Sequence, residues 1–227
     1  MDYIIYYGIG FLALIITVGA RSFIQASYRK YLKVQVKKNI SGAEAAREIL
    51  NKNGLKNIYV VETSGTLTDH YDPERQVIRL SKDIYDTSTV SAIAVASHEC
   101  GHALQDKNNY ALMRIRSSLV PFVNLSTKIG YVILLIGLIA SITDLIWVGI
   151  GLEAVILLFH LITLPVEIDA SMRAIREIEK NKLLNSEELQ YAKTVLVAAA
   201  LTYVASVATA VLEILRLIII YGNRNRD

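Results

Sequence analysis

Apolar positions along the chain gather into four long runs separated by more polar sequence. Residues 3–20, YIIYYGIGFLALIITVGA, carry no charge and are long enough to cross a bilayer. Residues 125–142 and 145–164 read as two further spans joined by a short hinge at Thr143 and Asp144, and a last run covers 194–221. Between the first and second runs the pattern changes. Residues 41–53 carry Ala45, Ala46, Ile49 and Leu50 on one helical face. Ser41 stands as N-cap with Glu44 as its capping-box partner, and Gly54 stops the helix. NIYVVE (57–62), TLTDHY (66–71) and QVIRLS (76–81) read as strands, with SG and DPER (72–75) as turns, which predicts a small antiparallel sheet. A helix is expected from about Ser88 to Gln105, ended by the polar DKNN.

Composition agrees with this layout. Of the 227 residues, 53% are hydrophobic and the mean hydropathy is +0.37, high for a soluble globule, and the apolar residues are clumped. The fold class that follows is an α-helical membrane protein with a small antiparallel β-sheet. A net charge of +3 gives no reason to expect a nucleic-acid partner. The basic residues report topology instead. Arg21, Arg29, Lys30, Lys33, Lys37 and Lys38 follow the first run with no acid among them, which places that side in the cytoplasm and the N-terminus outside. Six lysines and arginines there need no ligand beyond anionic lipid. The first run lacks a basic flank before it, only Asp2, and reads as a retained anchor, with Tyr3, Tyr6 and Tyr7 suited to the membrane interface. The organisation expected is an anchor at 1–20, a cytoplasmic part at 21–124, a transmembrane pair at 125–166, a cytoplasmic helix at 167–193 and a last transmembrane helix with its tail at 194–227. Four crossings put Arg224 and Arg226 outside, against the positive-inside rule, so the last run is alternatively re-entrant or flat on the surface. A lone cysteine, Cys100, forbids an intrachain disulfide.

The chemistry concentrates in AVASHECGHALQD, residues 94–106. His98 and His102 are four apart, so a helix points both imidazoles the same way, toward one ion. Zinc accepts imidazole nitrogens at about 2.0–2.1 Å and, in catalytic sites, keeps one position open for a water whose pKa it lowers. Glu99 lies about 100° around the helix from His98. It is placed to take a proton from that water as general base and to return it to the leaving amine. No charged residue lies between Asp86 and His98, as a buried zinc-binding helix requires. A third ligand must come from elsewhere. The segment TLPVEIDASMRAIREIEKN offers Glu167 and Asp169 on a helix that Pro165 opens; being two apart they face differently, and only one is expected to reach the metal.

HECGH followed by LPVEIDASMRA, with TLTDHYDP and IRLS upstream, resembles the bacterial neutral zinc metallopeptidase family of YugP-like membrane peptidases. The resemblance runs over nearly the whole chain and is more distant to the HtpX and CAAX prenyl protease type of membrane zinc peptidase. It implies a zincin-like (gluzincin) catalytic core inserted between transmembrane helices, one zinc ion per chain, and a glutamate third ligand from an E-x-x-x-D helix motif, which is Glu167 here. The aspartate of that motif is Ser171 in this chain. Either Ser171 orients a histidine more weakly, or Asp169 takes that part by another geometry. The expected activity is a zinc endopeptidase of the plasma membrane, multi-pass, with its site on the cytoplasmic side, acting on peptides or membrane-protein segments. The alternative is a non-catalytic zinc-binding membrane scaffold or regulator, which would have no need of Glu99. An intramembrane protease fits poorly, because the apolar stretch ending at Leu104 is too short to span.

The remaining groups have plainer readings. His70 is an exposed histidine near a turn, with an oxyanion-helper role as its rival. Cys100 is a packing residue pointing away from the ion. Gly101 either admits another backbone close to His102 or is merely small. Glu153, His160 and Glu167 are spaced by seven and share a stripe if their helix is unbroken, with His160 a packed histidine or part of a cavity lining. Arg216 is expected either to pair with Glu153 or Glu213 inside the bundle or to snorkel to the interface.

Overall fold

The computed structural model describes residues 2–140 and 142–222. Two compact units share the chain: Met1–Arg21, Arg114–Pro165 and Thr202–Asp227 form the first, Ser22–Met113 and Val166–Leu201 the second. Among the described residues, four helices are long and apolar enough to cross a membrane, over Ile4–Tyr31, Ala111–Gly137, Asp144–Lys180 and Ser186–Ile219. They belong to α1 (Asp2–Tyr31), α5 (Ala111–Ile139), α6 (Thr143–Lys180) and α7 (Ser186–Gly222).

Each of these helices runs further than the apolar pattern alone indicates. Pro165 does not open a helix; it lies inside α6. Proline removes one donor and crowds one carbonyl. Every other bond of the ladder is kept if the helix continues, and an apolar span has no water with which to replace a broken one. Pro121 likewise lies inside α5. The break between α5 and α6 falls before Thr143 and Asp144, which are already the first residues of α6. Because α7 is unbroken to Gly222, no re-entrant turn occurs within it; Arg224 and Arg226 lie outside the described residues. At ~1.5 Å per residue, α6 and α7 are each about 55 Å long against an apolar bilayer core of about 30 Å. Residues 143–165 of α6 and 202–222 of α7 belong to the first unit, and 166–180 of α6 and 186–201 of α7 to the second.

In the first unit α5 and α6 come close where glycine permits. A Cβ on Gly149 would stand 2.4 Å from Leu134 side-chain carbons, and one on Gly137 2.9 Å from Ile146. Leu134, Ile146, Ile150 and Leu217 make its small buried cluster. Arg216 bonds Glu213 one turn back and lies with its guanidinium 4.6 Å from the Tyr6 ring centre, beside Gly10. Of the two expected arrangements, the pair with Glu213 is the one that forms.

The second unit holds α2 (Gly42–Lys52), β1 (Tyr59–Thr63), β2 (His70–Asp72), β3 (Val77–Ser81), α3 (Lys82–Tyr85) and α4 (Val90–Lys107). Its core draws on all of these and on α6 and α7, with Ile49, Leu50, Ile78, Leu80, Ile84, Ile93, Ile178 and Leu183 fully buried. The capping box at the start of α2 forms as the sequence suggests. Ser41 Oγ accepts from the Glu44 N–H at 3.2 Å, and the Glu44 carboxylate accepts from the Ser41 N–H at 2.7 Å.

The sheet is not the antiparallel meander the turn signals suggest. Its order is β1-β3-β2, with β1 and β3 parallel and β2 and β3 antiparallel. Only the hairpin at Asp72–Arg75 forms, with the Arg75 N–H donating to Asp72 Oδ1 at 3.0 Å. Two causes are visible. Val77, Ile78, Leu80 and Ser81 are all buried, and a strand buried on both faces belongs at the centre of a sheet. The Asp69 carboxylate accepts from the N–H and hydroxyl of Ser81, at 2.7 and 3.0 Å, which pins the start of β2 to the end of β3. Residues 66–69 are consequently a connection and not a strand. Gly65 and Leu67 take positive φ in it (105° and 57°).

Ser41→Ala removes one half of the capping box and is expected to cost about 1 kcal/mol of stability. Chemical unfolding of the detergent-solubilised protein checks this, and an unchanged midpoint would show that Glu44 alone suffices to start α2.

Candidate metal centre

Thr89 caps α4, its hydroxyl accepting from the Ala92 N–H, and the helix then carries the histidines on one side through a nearly all-buried sequence. Small residues make that burial possible. Ala92, Ala94, Ala96 and Ser97 are fully covered, so neighbouring helices pack against the α4 backbone itself. The closest approach is at Gly101, where a Cβ would lie 2.3 Å from the Ala170 carbonyl oxygen of α6. Of the two readings of Gly101, the admission of a second backbone is the one realised. One step along α4, Cys100 is buried on the α2 side, its thiol 3.6 Å from the Ala46 carbonyl, and burial pushes its pKa up. It faces away from the histidines.

The Gly101 contact sets α6 beside α4 one helical step from His102 and brings one acidic side chain into the space between the imidazoles. Glu167 Oε2 lies 3.2 Å from His98 Nε2 and 3.5 Å from His102 Nε2. The ligand atoms of His98, His102 and Glu167 all fall within 4.8 Å of one another. Tetrahedral zinc with bonds of about 2.0–2.1 Å separates neighbouring ligand atoms by about 3.3 Å. Two imidazoles and one carboxylate grouped this closely could hold such an ion, and the donor set suits it.

Asp169 does not reach this cluster. Its Oδ2 accepts instead from Arg173 Nε at 2.6 Å and from Gln105 Nε2 at 2.9 Å. Gln105 in turn meets His102 Nδ1 through Oε1 at 2.9 Å. The Ser171 hydroxyl lies 3.2 Å from His98 Nδ1. Both arrangements considered for Ser171 and Asp169 thus occur, one on each histidine. Gln105 was not singled out from the sequence, although it stands three residues after His102 on the same helix, where a side chain can meet its ring.

Glu99 is 7% exposed. Desolvation pushes its pKa up, against the opposing pull of His98 and His102; the nearby carboxylates Glu167 and Asp69 add to the rise. For His102, burial acts to lower the pKa, but the contacts with Glu167 outweigh it and the net shift is upward. A pocket that draws positive charge onto His102 when no cation is bound is one that a cation would occupy favourably.

His70 stands exposed on β2 with Nδ1 2.8 Å from the Thr68 carbonyl, the plain surface histidine of the two readings. β2 itself runs beside α4, tied to it by the Tyr71 hydroxyl donating to Asp106 Oδ2 at 2.9 Å. Its outer edge is unpaired within the sheet.

The chain thus joins an HECGH helix, a glutamate from a later helix and helices long and apolar enough to cross a membrane. The family model described as "Putative neutral zinc metallopeptidase" matches residues 6–222, and the chain belongs to that family. It is similar to a curated protein of Bacillus subtilis (strain 168), "Putative membrane protease YugP", with 41% identity over 211 residues, covering 93% of this chain and 94% of the relative. No solved structure matches.

Gly101→Ala is expected to force α6 away from α4, costing on the order of 1–3 kcal/mol as overpacking does, and to lower metal content. Cys100→Ala, on the opposite side of α4, is expected to leave metal content unchanged. Metal analysis and unfolding of both purified variants make the comparison; wild-type metal content in Gly101→Ala would refute the packing argument.

Proposed function

We propose that the protein is an integral membrane zinc endopeptidase of the gluzincin type, with His98, His102 and Glu167 holding one zinc ion and Glu99 as general base. The observation that carries the reading is the convergence of Glu167 on the two imidazoles with Glu99 buried alongside. The family and the name of the similar protein support it.

When bound, zinc supplies the Lewis acidity that polarises a peptide carbonyl and makes water a nucleophile at neutral pH. The chain supplies the rest. A Glu99 carboxylate oxygen takes one proton from the attacking water and delivers it to the amide nitrogen as the C–N bond breaks. Burial raises the pKa of Glu99, the direction that makes its carboxylate a stronger base. β2, the antiparallel edge strand beside α4, is suited to receive an extended substrate by strand addition. Backbone pairing of this kind fixes direction while tolerating varied side chains.

The basic residues Arg29, Lys30, Lys33, Lys37 and Lys38, with Arg173, Arg176, Lys180 and Lys182, all lie in the unit that carries these residues, which supports an active site on the cytoplasmic face of the plasma membrane. Peptides or membrane-protein segments are the substrates in keeping with that position.

Zinc per chain, measured on detergent-purified wild type, Glu167→Ala and Asp169→Ala, is expected to be about one in wild type and in Asp169→Ala and to be lost in Glu167→Ala. Glu99→Gln is expected to keep its zinc and to lose about 100-fold or more of its peptide hydrolysis. Full hydrolysis by Glu99→Gln would overturn the mechanism. Absence of zinc from wild type purified without chelators would favour the scaffold reading.

A further inference from the structure

The two histidines are held in different ways. Gln105 is fully buried and its amide has three partners. Its nitrogen end faces two acceptors, the Val166 carbonyl at 2.7 Å and Asp169 Oδ2 at 2.9 Å. Neither can donate, so the NH2 group must occupy that end and the oxygen must face His102 Nδ1. The orientation of the amide follows from its partners alone. An oxygen at that place accepts, so Nδ1 of His102 carries a proton and Nε2 is the nitrogen turned toward Glu167 and His98. Asp169 is fixed in place by Arg173, whose guanidinium lies 5.9 Å from the Tyr110 ring centre. The partner of His98 Nδ1 is a hydroxyl, Ser171, which donates or accepts equally well and so imposes no form on that ring.

We infer that Gln105 and Asp169 are positioning residues that set the proton and the aim of His102, and that this is the stronger of the two histidine supports. The chain departs from the E-x-x-x-D pattern at Ser171, and the Asp169–Gln105 relay supplies through the other histidine the carboxylate-backed support that Ser171 cannot. The same amide bonds the carbonyl of Val166, the residue before Glu167, so one side chain registers two of the three proposed ligands against each other. This inference rests on the zinc reading above.

The test is zinc affinity, read by competition with a chromogenic chelator on the full-length protein in detergent, together with the melting temperature of zinc-loaded and zinc-stripped forms. Q105L is expected to weaken zinc binding on the order of 10- to 100-fold, and S171A by clearly less. The gain in melting temperature on adding zinc should be smaller in Q105L than in wild type. Affinity equal to wild type in Q105L, or a larger loss in S171A than in Q105L, would overturn the inference, as would equal melting losses in loaded and stripped forms with unchanged affinity. Where Q105L does not fold, Q105M, which keeps the unbranched shape of glutamine without its amide, decides the matter: it is expected to bind zinc more weakly than wild type, and affinity equal to wild type overturns the relay. Zinc-free wild type would instead be a failure of the proposed function, and is told apart by being seen before any variant is made.

Discussion

The contact of Gly101 with the Ala170 carbonyl is the constraint on which the metal centre depends. Helix axes ordinarily keep about 8–10 Å apart because side chains intervene. At Gly101 there is no side chain, and the α6 backbone comes to where a Cβ would stand. Glutamate is short compared with the gap between two ordinarily packed helices. The close approach lets the Glu167 carboxylate lie between His98 and His102 while its own backbone stays in regular helix. The alanines and serines of α4 serve the same end on its other sides.

A second consequence concerns charge. Glu99, His102 and Glu167 are each less than 10% exposed, and burying ionisable groups is costly unless they are paired. The site meets this with mutual contacts, Glu167 against both imidazoles, and with hydrogen bonds from behind through Ser171 and Gln105. His98, His102 and Glu167 thereby each have a partner, and side chains held in this way keep their separations.

Much of this was legible beforehand wherever the determining interactions are local. The pairing of His98 with His102 follows from helical repeat, and the Ser41–Glu44 capping box from a motif that closes within one turn. The membrane character follows from run length. Reading failed where distant partners compete. NIYVVE, TLTDHY and QVIRLS have similar strand patterns, and nothing within them says which lies in the centre; burial of β3 on both faces and the Asp69–Ser81 bonds say so. Pro165 looked like a helix start because proline usually is one, yet the apolar surroundings favour an unbroken ladder.

The sequence by itself determined that two imidazoles face one point with a carboxylate beside them, that a carboxylate from a distant segment must complete the set, and that long apolar helices carry the whole. These are consequences of 3.6 residues per turn and of the bilayer's thickness. Only the tertiary structure decided between Glu167 and Asp169. Residues two apart on a helix point about 200° apart, so the choice turns on how α6 is rotated about its axis, and that rotation is set by the Ala170 carbonyl meeting Gly101 and by the Val166 carbonyl meeting Gln105. Neither contact has a signature in the local pattern, because each depends on the fit of two surfaces more than sixty residues apart in the chain.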